Sequence, residues 1–217
     1  AKHRLGHAIL EGSGFAVEVV GRVPPSEAAR LVVANHRSAF DIPLMLAYLD
    51  DPVMLSRGDL ADWPVIGRLA EHGDTVFVDR ADKSNGARAI RSMRRVLERH
   101  RTLVVFPEGT THGDPVVRSF QPGAFVAARG LEVEMIPVGI AYSAGLEWTE
   151  PSMRAHLANV LGRKTTRVAM VFGDPRRRLP LEDQAGHLLL ALAEQVGSHE
   201  KRRNPGGVRR LDDHGGP

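Results

Sequence analysis

The chain has 217 residues, of which 42% are hydrophobic and 25% are charged, as is ordinary for a single globular domain. It contains no cysteine, which excludes disulfides and thiolate catalysis, and its ten histidines are scattered without metal-ligand spacing, so that no metal is expected. The formal net charge of +3 favours an anionic partner such as a nucleic acid, an anionic membrane or a phosphorylated substrate.

The amino-terminal residues 1–14 are predicted to form a short amphipathic segment with a helix over Leu5–Leu10, close to the basic residues Lys2 and Arg4. The basic start is compatible with an anchor upstream of this sequence, and no apolar run approaches the roughly 20 residues of a membrane span. The main domain is expected over residues 15–197. Residues 198–217 are polar and glycine-rich, and we expect them to be disordered.

Short segments rich in valine, isoleucine and phenylalanine are predicted as strands. They are Phe15–Val20, Arg30–Ala34, Pro52–Ser56, Thr75–Val78, Thr102–Phe106, Val133–Ala141 and Thr165–Phe172. Helices are predicted between and after them, over Ile42–Leu49, Asp59–His72, Ala87–His100, Ser152–Leu161 and Leu181–Gly197. This alternation predicts an α/β fold, a single layered domain with a largely parallel sheet flanked by helices. Pro137 indicates that its strand lies at an edge or ends there.

The predicted helix over Ala87–His100 combines an apolar stripe with an arginine-rich face. The arginines are Arg88, Arg91, Arg94, Arg95 and Arg99. Such a face is either simply solvated or a surface that attracts anionic lipid. The helix over Asp59–His72 leaves a similar choice, because Trp63 and its apolar neighbours either face the core, which is the preferred interpretation, or contact lipid headgroups.

The most informative stretch, Asn35-His36-Arg37-Ser38-Ala39-Phe40-Asp41, lies between a buried strand and a helix. Open α/β folds place their chemistry at such strand ends. His36 and Asp41 can meet if His36 lies in the loop and Asp41 in the first helical turn, and Pro43 fits that turn. A carboxylate behind an imidazole fixes its tautomer and makes the other ring nitrogen a general base. Alternatively, Asp41 or Ser38 merely caps the helix.

Two further polar signatures follow other predicted strands, Asp79-Arg80 and Pro107–Thr110. Because parallel strands share one carboxyl edge, all three signatures are expected to converge on one cleft. Arg80 can hold a phosphate with two parallel hydrogen bonds, although a surface ion pair with a neighbouring aspartate is the simpler alternative. Gly109 lets the backbone approach a ligand, and Glu108 can hold a hydroxyl or position Arg80.

Together, these motifs resemble the signature of the glycerolipid acyltransferase family, in its bacterial, lysophosphatidic acid acyltransferase-like type. That signature runs Asn-His-x4-Asp, Phe-x-x-Arg, Phe-Pro-Glu-Gly-Thr and a proline-containing strand. The matching stretches here, in the same order, are Asn35–Asp41, Phe77–Arg80, Phe106–Thr110 and Ile136–Val138. The resemblance covers about residues 15–175, and four motifs in order are far more specific than one.

The resemblance implies transfer of a fatty acyl group from acyl-CoA or acyl carrier protein to the free hydroxyl of a lysophospholipid, with lysophosphatidic acid as the expected acceptor. His36 would be the general base and Asp41 would orient it, without a cofactor. The acceptor would be held by Arg80, Glu108, Gly109 and Thr110. Asn35 and Arg118 would support these four residues. The lack of a span-length apolar run, together with the arginine-rich helix, predicts a peripheral protein on the cytoplasmic face of the cell membrane.

The sequence departs from the family pattern where basic residues are usual. Thr111-His112 follows Phe-Pro-Glu-Gly-Thr in place of Arg-Ser, and Phe120–Phe125 contains none of the usual lysines. These departures favour, as the alternative, another lyso-lipid acceptor such as lyso-ornithine lipid, whereas Arg118 is a candidate to compensate for the missing basic residues at a phosphate.

Two other classes of function remain open at this point. A hydrolase would use the same base to activate water on a thioester. A non-catalytic module would bind anionic lipid or nucleic acid through the arginine-rich helix. Nucleic acid is the less expected partner, because the aromatic interleaving of a single-strand binder is absent.

Overall fold

The computed structural model describes residues 2–23, 26–57, 75–78, 83–113, 117–143 and 145–176. The strands in these ranges are β1 Phe15–Val20, β2 Ala29–Ala34, β3 Pro52–Arg57, β4 Thr75–Val78, β5 Thr102–Val105, β6 Val133–Tyr142 and β7 Thr166–Phe172. The helices are α1 Lys2–Gly12, α2 Asp41–Tyr48, α3 Lys83–Glu98, α4 Gly123–Ala128 and α5 Met153–Leu161. The helices predicted over 59–72 and 181–197, the tail 198–217 and Arg80 lie outside the described residues.

The seven described strands form one sheet in the order β1-β7-β6-β2-β5-β3-β4. Strands β6, β2, β5, β3 and β4 run parallel to one another. Strand β7 is antiparallel to β6 and parallel to β1. The predicted α/β class and largely parallel sheet are therefore confirmed. Because β2 and β5 are adjacent and parallel, the loops that follow them leave the sheet side by side.

Strand β2 is the centre of the core, since all six of its residues are buried. Its side chains alternate between two apolar clusters, one on each face of the sheet, with Val32 in the first and Leu31 and Val33 in the second. A continuous apolar strand of this kind is typical of a sheet covered on both faces. Helices α2 and α5 pack in the first cluster together with Leu10 of α1, and α3 and α4 pack in the second.

The prediction that Pro137 marks an edge strand is wrong, because β6 lies between β2 and β7. The Pro137 carbonyl accepts a hydrogen bond from Gly173 N, 2.9 Å away and just beyond β7. A strand residue directs its N–H and C=O to the same side, so the missing proline N–H faces the place where β7 stops. The regular ladder with β7 starts only at Val138, opposite Phe172. The proline therefore marks the end of a neighbouring strand rather than of its own.

The predicted amino-terminal helix is present as α1 and packs against α2. Leu10 and Gly6 are its buried residues. A Cβ atom on Gly6 would lie only 2.5 Å from Ala47 N and 2.7 Å from Pro43 O. Since both atoms belong to the backbone of α2, only glycine allows this close approach.

We expect Gly6→Ala to lower the free energy of unfolding by about 1–3 kcal/mol, the usual cost of overpacking. Gly12→Ala is the matched control on the same helix, because a Cβ there meets nothing within 4 Å, and it should be neutral or slightly stabilising. Urea unfolding followed by circular dichroism measures both changes. Equal stability of the two variants would contradict the packing described here.

Candidate active site

The loop from Asn35 to Phe40 connects β2 to α2 and carries the predicted histidine. Asn35 is buried at its start and acts like one more strand residue: its amide Nδ2 donates to Ile140 O at 2.8 Å and its Oδ1 accepts from Ile140 N at 2.7 Å. The side chain thus ties the end of β2 to β6 beyond the last backbone pair, Ala34 with Val138. This contact fixes the start of the loop, and the supporting role of Asn35 in acceptor binding stays a prediction.

Asp41 is the first residue of α2, and its carboxylate lies 2.8 Å from His36 Nδ1. This is the predicted geometry, with His36 in the loop and Asp41 in the first helical turn. Asp41 does not cap its own helix. Its Oδ2 instead accepts from the backbone N–H groups of Arg37 at 2.7 Å and Ser38 at 2.9 Å, which folds the loop around the carboxylate.

The second carboxylate oxygen of Asp41 accepts a hydrogen bond from the Tyr142 hydroxyl at 2.7 Å. Burial, and next the charge of Asp41, raise the pKa of Tyr142 well above its ordinary value, so that the phenol keeps its proton. Tyr142 was not singled out from the sequence. It lies at the end of β6, and its approach to Asp41 depends on the strand order, which local patterns do not reveal.

The His36 ring is the exposed member of the pair, with 21% of its side chain accessible against 0% for Asp41. It stacks on Phe106 with ring centroids 4.4 Å apart. Because the Asp41 carboxylate accepts hydrogen bonds, Nδ1 of a neutral His36 carries the proton, and Nε2 is left as the basic position. The arrangement is that of a general base backed by a carboxylate.

Glu108 joins the loop after β5 to the loop of His36. Its Oε1 accepts from His36 N at 2.9 Å and its Oε2 from Arg118 N at 2.8 Å. Its side chain is fully buried. Both oxygens are therefore engaged by the protein, and the geometry gives Glu108 a positioning role rather than direct contact with a hydroxyl.

Arg37 and His112 complete this buried polar cluster. Arg37 Nη1 donates to His112 Nδ1 at 3.2 Å, and His112 Nε2 is hydrogen bonded to Glu108 Oε2. Since arginine can only donate, Nδ1 of His112 is an acceptor and the proton lies on Nε2, facing the carboxylate. The sequence departs from the family pattern at His112, and in the structure this residue is a neutral hydrogen-bond partner of the Glu108 carboxylate.

An apolar pocket of about 500 Å³ opens beside His36. Its walls come from β3, β5, α3 and α4, and they include Leu55, Ile90, Met93, Val105, Phe106 and Ala124. Gly109 also lines the pocket and has a positive φ of 74°, which favours glycine. A volume of this size is ordinary for a small-molecule site.

The structure brings His36, Asp41, Glu108 and Gly109 together as predicted, whereas Arg80 lies outside the described residues. Thr110 is exposed next to this group, and Arg118 contributes its backbone N–H while its side chain is exposed. Within the described ranges, no three histidine or carboxylate side chains are grouped as metal ligands. None of the helices described combines the length and apolar character that a membrane crossing needs.

A sequence model described as acyltransferase matches residues 16–141, more than half of the chain. The protein belongs to the acyltransferase family. The match covers both polar loops, from the histidine after β2 to the glutamate after β5.

Several characterised proteins are similar to this chain. A lyso-ornithine lipid O-acyltransferase from Pseudomonas aeruginosa is 38% identical over 59% of the chain and 48% of its own length. One from Brucella abortus is 28% identical over 75% of the chain and 67% of its length. Human lysophosphatidylcholine acyltransferase 2 is 35% identical over 67% of the chain and 27% of its length. The chain thus spans about half of the Pseudomonas protein and about a quarter of the human one.

The crystal structure of a 1-acyl-sn-glycerophosphate acyltransferase from Thermotoga maritima has a similar fold. It superposes with a TM-score of 0.64 at 24% sequence identity, covering 96% of this chain and 80% of the other. At this level of identity the likeness establishes the fold, a mostly parallel sheet with helices on it.

We expect Tyr142→Phe to lower the free energy of unfolding by about 1–3 kcal/mol, because it leaves a buried carboxylate oxygen without its donor. Tyr48→Phe is the matched control, since Tyr48 is only partly buried and is the other of the two tyrosines in the chain. Chemical unfolding of the two variants at pH 7.5 measures the difference. A Tyr142→Phe variant as stable as the control would show that this hydrogen bond adds nothing.

Proposed function

We propose that this protein is a lysolipid O-acyltransferase that moves a fatty acyl group from a thioester donor, acyl-CoA or acyl carrier protein, to the free hydroxyl of a lysolipid. The observation that carries the proposal is the His36–Asp41 pair beside an apolar pocket. The pair supplies a base for a hydroxyl, and the pocket supplies a site for a hydrocarbon chain. Membership of the acyltransferase family supports the same reaction class.

In the proposed reaction, His36 Nε2 takes the proton of the acceptor hydroxyl as its oxygen attacks the thioester carbonyl. The carbon–sulfur bond then breaks, and the proton passes from His36 to the departing thiolate. Asp41 keeps Nδ1 protonated and stabilises the imidazolium formed on the way. Ser38 is 0% exposed, so that its hydroxyl cannot reach a thioester, and direct transfer is favoured over an acyl-enzyme.

The acceptor is proposed to be a lysolipid, with lyso-ornithine lipid preferred. The two bacterial relatives described above are named for that acceptor, and the human relative is named for lysophosphatidylcholine. Lysophosphatidic acid, the acceptor expected from the motifs, is the second candidate. Arg80, Gly109 and Thr110 remain the residues proposed to hold its polar head, and Arg80 suits either a phosphate or a carboxylate.

The acyl chain is proposed to occupy the apolar pocket between α3 and α4. Gly123, the first residue of α4, lines this pocket, and a Cβ on it would lie 3.7 Å from Met93 Cε and 3.9 Å from Ile90 Cγ1. A larger side chain at Gly123 would therefore fit only by filling the pocket. The narrow space between α3 and α4 at Gly123 is proposed to limit how far the acyl chain enters the pocket, and therefore how long an acyl chain the pocket accepts.

The protein is proposed to bind the cytoplasmic face of the membrane peripherally through α3. Arg88, Arg91 and Arg95 are exposed, as is Arg99 just beyond the helix. Their spacing of three, four and four residues places them in one stripe along the helix. Arg94, which was predicted on this face, instead donates to Glu98 Oε1 at 3.0 Å and to Arg129 O at 2.9 Å.

His36→Ala should abolish acyl transfer without unfolding the protein, and Asp41→Asn should cost less but still substantially, because the ring loses its orientation. The removal of a general base corresponds to a loss of about 10²–10⁴-fold. The assay uses labelled acyl-CoA or acyl carrier protein with lyso-ornithine lipid, lysophosphatidic acid and lysophosphatidylcholine in parallel. A rate of acyl transfer by His36→Ala within tenfold of the wild-type rate would contradict the mechanism. Hydrolysis of the thioester donor in the absence of an acceptor would indicate a hydrolase.

Gly123→Leu should shift the preference towards shorter acyl donors. Each excluded methylene is worth about 0.8 kcal/mol, so that the loss of two corresponds to roughly a tenfold fall in the ratio of kcat/KM for long against short donors. Val126→Leu is the control, because Val126 lies on the same helix with 39% exposure and is not part of the pocket lining. An unchanged chain-length profile in Gly123→Leu would place the acyl chain elsewhere.

Replacing Arg91 and Arg95 by glutamine should weaken binding to anionic vesicles about thirtyfold, since each basic residue near such a surface contributes about 1 kcal/mol. The control replaces Arg154 and Arg167, two exposed arginines on α5 and β7, and changes the net charge equally. Vesicle co-sedimentation at low and high salt measures both variants. The stripe is not the membrane contact if the two double variants bind alike.

A further inference from the structure

A second buried histidine contacts the catalytic loop and takes no part in the proton transfer proposed above. His156 lies on α5 and is 0% exposed. Its Nε2 is 2.8 Å from Ser38 Oγ, and its Nδ1 is 3.2 Å from Glu150 Oε2. Glu150 is held in turn by Asn159, whose Nδ2 donates to Oε1 at 2.7 Å. Ser38, His156 and Glu150 thus form a continuous chain of hydrogen bonds from the catalytic loop to α5.

The surroundings of His156 fix its protonation state. The backbone N–H of Ala39 points at Nε2 from 3.4 Å, and a backbone N–H can only donate. Nε2 must therefore present a lone pair, which also accepts from the Ser38 hydroxyl, and the ring proton lies on Nδ1, facing Glu150. Burial lowers the pKa of His156, although the Glu150 carboxylate acts in the opposite direction.

Ser38 connects this chain to the catalytic pair. Its backbone N–H donates to Asp41 Oδ2 at 2.9 Å, and its carbonyl accepts from Asp41 N at 3.2 Å. Its Oγ also accepts from Phe40 N at 3.3 Å. Ser38 cannot move without moving the carboxylate that orients His36.

We infer that neutral His156 is a positioning residue, which holds Ser38 and thereby fixes Asp41 and the Nε2 of His36 for acyl transfer. Protonation of His156 places a hydrogen on Nε2 opposite the Ala39 N–H and releases the loop. The inference rests on the proposed function, because it assigns His156 a part in that reaction. It differs from the general-base mechanism, since His156 touches neither the substrate nor the reacting atoms.

Several groups face the His156 ring and set how easily it takes a proton. The carboxylates of Glu150, from the loop before α5, and of Asp41, from α2, favour the charged ring. The Ala39 N–H and the burial of the site oppose it. The Trp148 ring stacks on the imidazole at a centroid distance of 5.2 Å, and Phe40 lies 6.5 Å away. As pH falls, the loop therefore loses its neutral acceptor and the carboxylates stabilise the protonated ring.

The test compares His156→Gln with His156→Ala in the acyl-transfer assay on the intact chain. The glutamine Oε1 can replace Nε2 as the acceptor for Ser38 but does not titrate, whereas alanine removes the acceptor. His156→Ala should lower kcat roughly ten- to a hundredfold, as expected when the base is misplaced, with little change in KM for either substrate. His156→Gln should recover most of kcat. His100→Asn is the control, because His100 is exposed and its φ of 54° suits asparagine.

The pH profile distinguishes positioning from simple packing. In the wild type, protonation of His156 adds to the loss of activity at low pH, so that log kcat/KM should fall more steeply with decreasing pH than in His156→Gln. The slopes of the two acid limbs should differ by up to about one. Because only two tryptophans are present, Trp63→Phe leaves Trp148 as a reporter, and its fluorescence should be quenched at low pH only when His156 is there to be protonated.

Wild-type kcat in His156→Ala, a steep acid limb retained by His156→Gln, or Trp148 quenching that survives His156→Gln would each overturn the inference. The glutamine variant keeps the test decisive if the alanine variant does not fold. Absence of acyl transfer by the wild type to every acceptor tested would instead overturn the proposed function, and the fluorescence titration separates that result from a failure of the inference.

Discussion

The buried carboxylate of Asp41 is the interaction on which the site depends. It is 0% exposed and accepts four hydrogen bonds, from His36, from the backbone of Arg37 and Ser38, and from Tyr142. A buried charge is tolerated only when its hydrogen bonds are complete, so this carboxylate requires the loop to fold around it. The same hydrogen bonds that stabilise the buried carboxylate also orient the His36 imidazole. Folding of the loop and orientation of the ring therefore depend on each other.

Three successive residues of the loop between β2 and α2 are each held by a different buried group. His36 contacts Asp41, Arg37 contacts His112, and Ser38 contacts His156. His112 pairs with Glu108 from the loop after β5, and His156 pairs with Glu150 from the loop before α5. The loop is therefore anchored from the neighbouring strand end on one side and from α5 on the other, and His36 is its residue that lines the pocket.

The sequence predicted what depends on local patterns. The strand before His36, the meeting of His36 with Asp41 and the α/β class follow from periodicity, turn chemistry and the motif, and the structure has them. What depends on strand order was not predictable. Pro137 was misread because nothing local shows where β7 ends, and Tyr142 was missed because β6 becomes a neighbour of β2 only in the folded sheet. His156 gave no signal, since one histidine on the apolar face of a helix usually indicates only a buried polar group.

The central claim is that Asp41 holds the His36 ring with the ring proton on Nδ1 and the lone pair on Nε2. The ¹⁵N NMR shifts of the His36 ring at pH 7.5 test this claim most directly. The His36 signals can be assigned by their loss in His36→Gln. The account predicts a protonated Nδ1 and an unprotonated Nε2 in the wild type, and a loss of this tautomer preference in Asp41→Asn. A proton on Nε2 in the wild type, or the same spectrum in Asp41→Asn, would contradict it.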